Sequence, residues 1–438
     1  MLKFANTIEE IPNAFDNREL RIEELKDFYY DGTMPVRTGT RGDSPIDDIM
    51  DTCREATGNN KFLLMGHRGS GKSTELNEMS VRLKKEGFEV YTIQCATEMD
   101  LNRPLYSDLL ILMGDALIKI AKEIKCNLDK SLLKEVVQFW EEKEETRTKT
   151  KNCSVRADAG IDIKSPSIAG VINLFTTLKG GVKFSEENHF SYKKRFDQRV
   201  SEWINILNKI SDEITKKLKG KRPIIIFEDL DKLNEEDTKE VFYTKTKALC
   251  DFSFPVVYTF PIALSYLTDF GNIDNIFETP VFPMIKLETI DGNKYEEGYK
   301  TIHKILEKRT NLDLFEKDVE NYLIQKTGGS LRDLFTAIIN AARIARRNEK
   351  QTIGKKEAET ALKKIKSERT KRFDAKDHDF LANIYQGKEK GKRTIEDTAK
   401  LTKMLLAGVV LEYNGERWCN LHPLVTDYLK ELEIINEN

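Results

Sequence analysis

The segment Gly66-His-Arg-Gly-Ser-Gly-Lys-Ser73 follows the spacing G-x-x-x-x-G-K-[ST]. Residues of these types in this order can cradle phosphate. Gly66, Gly69 and Gly71 let backbone N–H groups turn inward on anionic oxygens, and the following helix start adds the positive end of its dipole. Lys72 would reach the outer phosphates of a nucleotide, and the Ser73 hydroxyl would ligate Mg2+. His67, Arg68 and Ser70 fill the variable positions as lining, His67 not as a base, and Thr74 continues into the helix. The pattern carries weight only between a buried strand and a helix, and both flanks are present. Lys61-Phe-Leu-Leu-Met65 is a short apolar run, and the segment beyond the loop carries Leu76, Met79 and Leu83 on one face and stops at Gly87.

Chemistry at the last phosphate also needs an acid at the end of a neighbouring strand, to hold the metal and polarise an attacking water. Pro223-Ile-Ile-Ile-Phe227 is the most apolar strand signal in the chain and runs into Glu228-Asp-Leu-Asp231. Glu228 and Asp229 are assigned jointly to Mg2+ and water activation, although many P-loop ATPases read Asp then Glu here. The alternative is that these residues cap the next helix, Asp231 above all. Thr259, at the tip of Pro255-Val-Val-Tyr-Thr-Phe260, stands where a polar side chain can orient the attacking water; a plain strand-end threonine is the alternative.

The elements that must position these groups follow from the pattern. The strand Phe88–Gln94 lies in sequence between the loop and the acidic strand, so a further strand is expected to separate those two in the sheet, the additional-strand arrangement. Phe282-Pro-Met-Ile-Lys-Leu287 reads as one more strand. Strands alternating with helices predict an α/β fold, a parallel sheet covered on both faces. Glu141–Asn152 is a dense charge run. Beyond it, the two-residue alternation of Val155 to Ile163, resumed over Leu178–Phe184, predicts a β-containing insertion at about 141–190. A long helix follows, with Tyr192, Phe196, Val200, Trp203, Leu207, Ile210 and Ile214 on one face. Tyr295–Phe373 reads as all helical. The expected organisation is an N-terminal extension (1–45), a core (46–290), a helical lid (291–373) and a C-terminal domain (374–438) with a hairpin at Asn414-Gly415.

Composition sets the outer limits. The chain has 438 residues, too many for one compact core. With 71 Lys+Arg against 73 Asp+Glu, its net charge is −2, which excludes wholesale basic character. Six scattered cysteines form no C-x-x-C, so neither zinc nor a disulfide framework is expected. The longest apolar run, Ile168–Leu178, is about half of the roughly 20 residues a membrane span needs. With no apolar stretch near Met1, the expectation is a soluble, cytoplasmic protein.

Thr327-Gly-Gly-Ser-Leu-Arg332 opens a helix in the lid segment. With it the chain resembles the AAA+ superfamily, specifically the prokaryotic signal-transduction (STAND) and origin-recognition-like branches. Glu228-Asp-Leu-Asp-Lys232 is similar to the acidic motif of KAP-type ATPases, usually Asp-Asp-Leu-Asp-Arg. The resemblance spans roughly 36–373. It implies an ATPase that binds ATP and Mg2+ across the core–lid cleft, with Arg332 on the γ-phosphate, and a winged helix at 374–438. One departure is informative: no arginine occurs between Asp229 and Lys308, where ring-forming AAA+ enzymes usually carry a trans-acting finger. Such a finger is worth about 10³–10⁵ in rate. Slow intrinsic turnover is therefore expected, with Arg147 or Arg156 as the remaining sources.

Standalone chains of this layout resemble ATPase components of bacterial signalling and anti-phage systems. The expected role is a nucleotide-dependent switch acting on a separate effector subunit, within a homo-oligomer or hetero-complex. The alternative is a DNA-binding initiator or regulator. Charge locates where nucleic acid would bind: 374–438 has 9 Lys+Arg and 12 Asp+Glu, net −3, whereas 341–373 has 12 and 4, net +8. Arg343, Arg346, Arg347, Lys363, Lys364, Lys366 and Arg369 are prominent there, with a solvated basic helix as the plainer reading. His422 is expected to pack in the wing.

Overall fold

The computed structural model describes residues 1–40, 42–55, 60–141, 166–387, 397–413 and 418–436. At the centre, β1 (Lys61–Gly66), β2 (Val90–Gln94), β3 (Ile224–Glu228) and β4 (Val256–Pro261) form a parallel sheet in the order β1-β4-β3-β2. β4 therefore separates the loop strand from the acidic strand, as the sequence reading requires. Successive side chains of a strand face opposite sides, and both sides are apolar. Phe62, Leu64, Ile224, Ile226 and Val257 pack under α1 (Pro45–Arg54) and α2 (Lys72–Lys85), while Leu63, Met65, Ile225 and Phe227 face a helical bundle. All of β1, β3 and β4 is buried.

That bundle enters between β2 and β3 as α3 (Tyr106–Glu123), α4 (Lys130–Glu141), α5 (Ile168–Phe184) and α6 (Glu186–Lys217). It corrects the expected insertion. Leu178–Phe184 is the end of a helix, not a strand, because Val171, Leu174, Phe175, Leu178 and Val182 are the buried residues and recur at three and four. Gly181 lets Tyr192 close in; a Cβ there would lie 2.7 Å from its hydroxyl. The alternation at 155–163, like Arg147 and Arg156, falls outside the described residues.

The strand expected at 282–287 is also displaced. Residues 278–282 run beside β1, with Leu63 N–H donating to Glu278 O (2.8 Å) and Phe282 N–H to Met65 O (2.7 Å). Only isolated bridges form, because Pro280 and Pro283 carry no N–H for a regular ladder.

After β3 and α7 (Glu235–Phe242), the lid comprises α8 (Glu296–Glu307), α9 (Val319–Thr327), α10 (Leu331–Arg347) and α11 (Lys355–Thr370). Its core takes in Ala5, Ile8, Ile11, Ala14 and Phe15 from the N-terminal segment. The C-terminal domain comprises α12 (His378–Gln386), α13 (Thr398–Leu406), the antiparallel pair β5 (Val410–Tyr413) and β6 (Trp418–Leu421), and α14 (Pro423–Glu431). The Asn414-Gly415 turn lies outside the described residues. The whole is an α/β P-loop core carrying a helical lid and a winged-helix-like C-terminal domain. No described helix is long and apolar enough to cross a membrane.

Candidate functional site

The loop between β1 and α2 bends through two left-handed glycines, Gly69 (φ 84°) and Gly71 (φ 101°), a region open to glycine at little cost. Gly69 also touches the lid: a Cβ would fall 2.6 Å from that of Arg332. Lys72, the first residue of α2, folds back over the loop. Its ammonium donates to the carbonyls of Gly66 (2.8 Å) and His67 (2.9 Å) and pairs with Asp231 Oδ2 at 2.8 Å. Beneath the loop, the buried Arg37 donates to Ser70 O (2.7 Å) and Pro283 O (2.6 Å) and stacks over Phe282. Burial pushes its guanidinium down to about 10. Thr74 lines the cleft, and its hydroxyl accepts Leu20 N–H at 3.1 Å, which ties α2 to the N-terminal segment.

The acids at the end of β3 part company. Glu228 is 1% exposed and its Oε1 has no partner among the described residues. Burial pushes its carboxyl up to about 7, against the pull of the Ser73 hydroxyl. An orphaned carboxylate oxygen beside a serine hydroxyl at a helix start suits Mg2+, which takes few protein ligands and keeps several waters. Asp229 takes a left-handed conformation (φ 73°), and its carboxylate accepts Ala96 N–H (3.3 Å) and pairs with Lys232 (2.5 Å). The structure thus puts Glu228 beside the Ser73 hydroxyl, while Asp229 lines the cleft with Lys72 and Ser73.

Asp231 is not a helix cap. Asn234 caps α7, accepting Asp237 N–H at 2.8 Å, and Asp231 is left to face Lys72. Burial works to raise its carboxyl, but Lys72 and then Arg68 outweigh burial and hold it below its ordinary value. Thr259 is committed to backbone: its hydroxyl accepts Leu230 N–H (3.1 Å) and donates to Phe227 O (3.3 Å), fixing the exit of β3. Arg68 donates to Lys232 O at 2.6 Å.

Arg332 is exposed at the start of α10 and lines the cleft, with no described residue bonded to its guanidinium. The cleft holds a cavity of about 240 Å³ between loop, N-terminal segment and lid, reached by Lys72, Ser73 and Asp231. Leu20, Phe28, Ile305 and Phe335 supply apolar lining, the kind of surface on which a flat base packs. Arg309 also lines the cavity, 4.6 Å from the centre of the Phe335 ring, and burial pushes it down to about 10. Arg37 and Arg309 were not singled out by sequence, since each acts through contacts far along the chain.

Two histidines join the site to the C-terminal domain. His67 Nε2 accepts the backbone N–H of Glu412 at 2.8 Å; burial, then Lys72, pushes its imidazole down to about 3. His422, fully buried, accepts Leu424 N–H at Nδ1 (3.2 Å), so its Nε2 donates to Asp333 (3.1 Å). Arg369 also pairs with Asp333 and donates to Gly408 O at 2.6 Å. Asp333 follows Arg332 directly.

No protein-family model and no curated protein matches the chain. Solved structures similar to it include the Aeropyrum pernix ORC1 protein in complex with DNA (12% identity, 89% of this chain and 92% of that one, TM-score 0.37). Cdc6p from Pyrobaculum aerophilum is similar at 11% identity over 93% and 98% of the two chains, TM-score 0.40. The Aeropyrum pernix ORC2 protein in its ADP form is similar at 12% identity over 99% and 100%, TM-score 0.39. The likeness is distant.

Proposed function

We propose that the chain is a Mg2+-dependent ATPase whose nucleotide state is read by its C-terminal domain. The observation that carries this reading is Lys72 at the head of α2, drawn over a loop of left-handed glycines, with Glu228 buried beside Ser73. The loop N–H groups and the helix start bind phosphate. Lys72 offsets charge on the outer phosphates, and Arg332, which lines the cleft from the lid, would take the last one. Ser73 and Glu228 would hold Mg2+, which supplies charge neutralisation across those phosphates. Glu228 orients the attacking water and takes its proton. With no arginine between Asp229 and Lys308, turnover by the isolated chain is slow, which suits a switch acting on a separate effector, in an oligomer or hetero-complex, as in bacterial defence.

Calorimetry with ATP and Mg2+ tests the reading. Wild type binds, and Lys72→Ala loses at least about 1.5–3 kcal/mol, the worth of a charged hydrogen bond. Equal affinity in the variant removes the assignment.

One observation favours nucleic acid as a second ligand. Arg343, Arg346, Arg347, Lys363 and Lys364 are all exposed. Lys366 and Arg369 leave that set, being paired with Glu431 and Asp333.

A further inference from the structure

An ammonium has three hydrogens to donate, and those of Lys72 are all in use. Two acceptors, Gly66 O and His67 O at 2.8 and 2.9 Å, belong to the loop backbone leaving β1. The third is the Asp231 carboxylate at 2.8 Å. The clasp is doubled, because Arg68, from the same loop, donates to the carbonyls of Asp231 (3.3 Å) and Lys232 (2.6 Å). Any phosphate that bonds to Lys72 must displace one acceptor. The ammonium can swing away from the two carbonyls, which are fixed in the backbone, whereas the Asp231 carboxylate is the one acceptor carried on a side chain and can follow it.

Diphosphate and triphosphate meet this arrangement differently. The terminal phosphate of a diphosphate is held largely by loop N–H groups and the helix start, and it can share Lys72 with a carboxylate. The third phosphate of a triphosphate needs the outer side of Lys72, toward the end of β3, where the like-charged Asp231 already stands. We infer that Asp231 is a specificity-determining counter-ion, which fills the place on Lys72 that a third phosphate requires and so biases the site toward the diphosphate. The inference rests on the nucleotide-site reading above. It also separates the roles of the acids: Glu228 serves the metal, and Asp231 sets which nucleotide is held at rest.

The test measures affinities of the full chain for ADP and for a non-hydrolysable ATP analogue, with Mg2+ and with chelator, in wild type, Asp231→Asn and Asp231→Ala. Asn keeps the shape and one acceptor; Ala keeps the test open should Asn misfold. Both variants are expected to tighten the triphosphate about tenfold and to leave ADP within about twofold, since only one of two ligands loses a like charge. An unchanged triphosphate-to-diphosphate ratio, or equal tightening of both, overturns the inference. Triphosphate affinity that falls in the variants only when Mg2+ is present overturns it too and makes Asp231 a metal group. A wild type that binds neither nucleotide overturns the nucleotide site itself, whereas ordinary binding of both with an unmoved ratio overturns only the role of Asp231.

Discussion

His67, inside the glycine-rich loop, accepts a hydrogen bond at 2.8 Å from the backbone N–H of Glu412 in the C-terminal hairpin. The loop proposed to hold phosphate is thereby in direct contact with the domain proposed to read it. His67→Ala leaves a buried N–H without a partner, which costs about 1–3 kcal/mol. The expected outcome is faster hydrogen exchange across β5 and β6 with little change in the central sheet. Unaltered exchange there would show that the hairpin is held without this bond.

The two acids at the end of β3 are expected to differ in hydrolysis. Glu228→Gln keeps nucleotide binding and stops phosphate release, because the group beside Ser73 can no longer accept a proton. Asp229→Asn retains most turnover, since its carboxylate serves Ala96 and Lys232. Phosphate release under saturating ATP separates them. Loss of turnover in Asp229→Asn alone would reverse the assignment.

Glu228 also gives stability a pH dependence of known sign. Its carboxyl rises from 4.5 to about 7 on folding, so between these values the folded chain binds more protons than the unfolded one. Its share of stability is full below 4.5 and is lost as pH rises through 7. Glu228→Gln removes the buried charge, and at pH 8 without nucleotide it should be more stable than wild type, by up to about 3 kcal/mol. The gap should close by pH 4.5. Urea midpoints at the two pH values measure it; a gap independent of pH would contradict the burial argument.

Duplex DNA, if bound, should be bound by the lid. Lys363→Glu with Lys364→Glu should remove the salt-dependent part of binding, while deleting 374–438, net −3, should not. Fluorescence anisotropy at two salt concentrations decides. Binding that is lost with the C-terminal domain would favour an initiator over a switch.

What could be read from the sequence was what local pattern controls. The glycine loop, the strand before it and the helix after it are neighbours along the chain, and Ile224 to Phe227 announce a buried strand by themselves. The sheet order followed from one extra strand, Val90–Gln94. What could not be read depends on a single dihedral or a distant partner. The left-handed turn at Asp229 (φ 73°) swings that acid toward Lys232 and brings Asp231 to Lys72, and no spacing rule announces it. Arg37 reaches Ser70 and Pro283 from a segment with no motif of its own. At Leu178–Phe184 the helical signal is present in the sequence: the four-residue step from Leu174 to Leu178 to Val182 outweighs a pair of glycines.

The sheet order bears on how the molecule assembles. Lys61 pairs with Val256 and Ile225 with the same residue, so the loop and the acidic turn meet only after the chain has passed through the whole α3–α6 bundle. Contacts within that bundle are nearer in sequence, whereas closing β1 on β4 must overcome the entropy of a very long loop. The bundle is thus expected to form early in refolding, and the strand closure that joins the two halves of the proposed phosphate site is expected to come late. A fluorescent nucleotide added during refolding would then mark the last step, and ligand capture would act as a ratchet on the completed sheet.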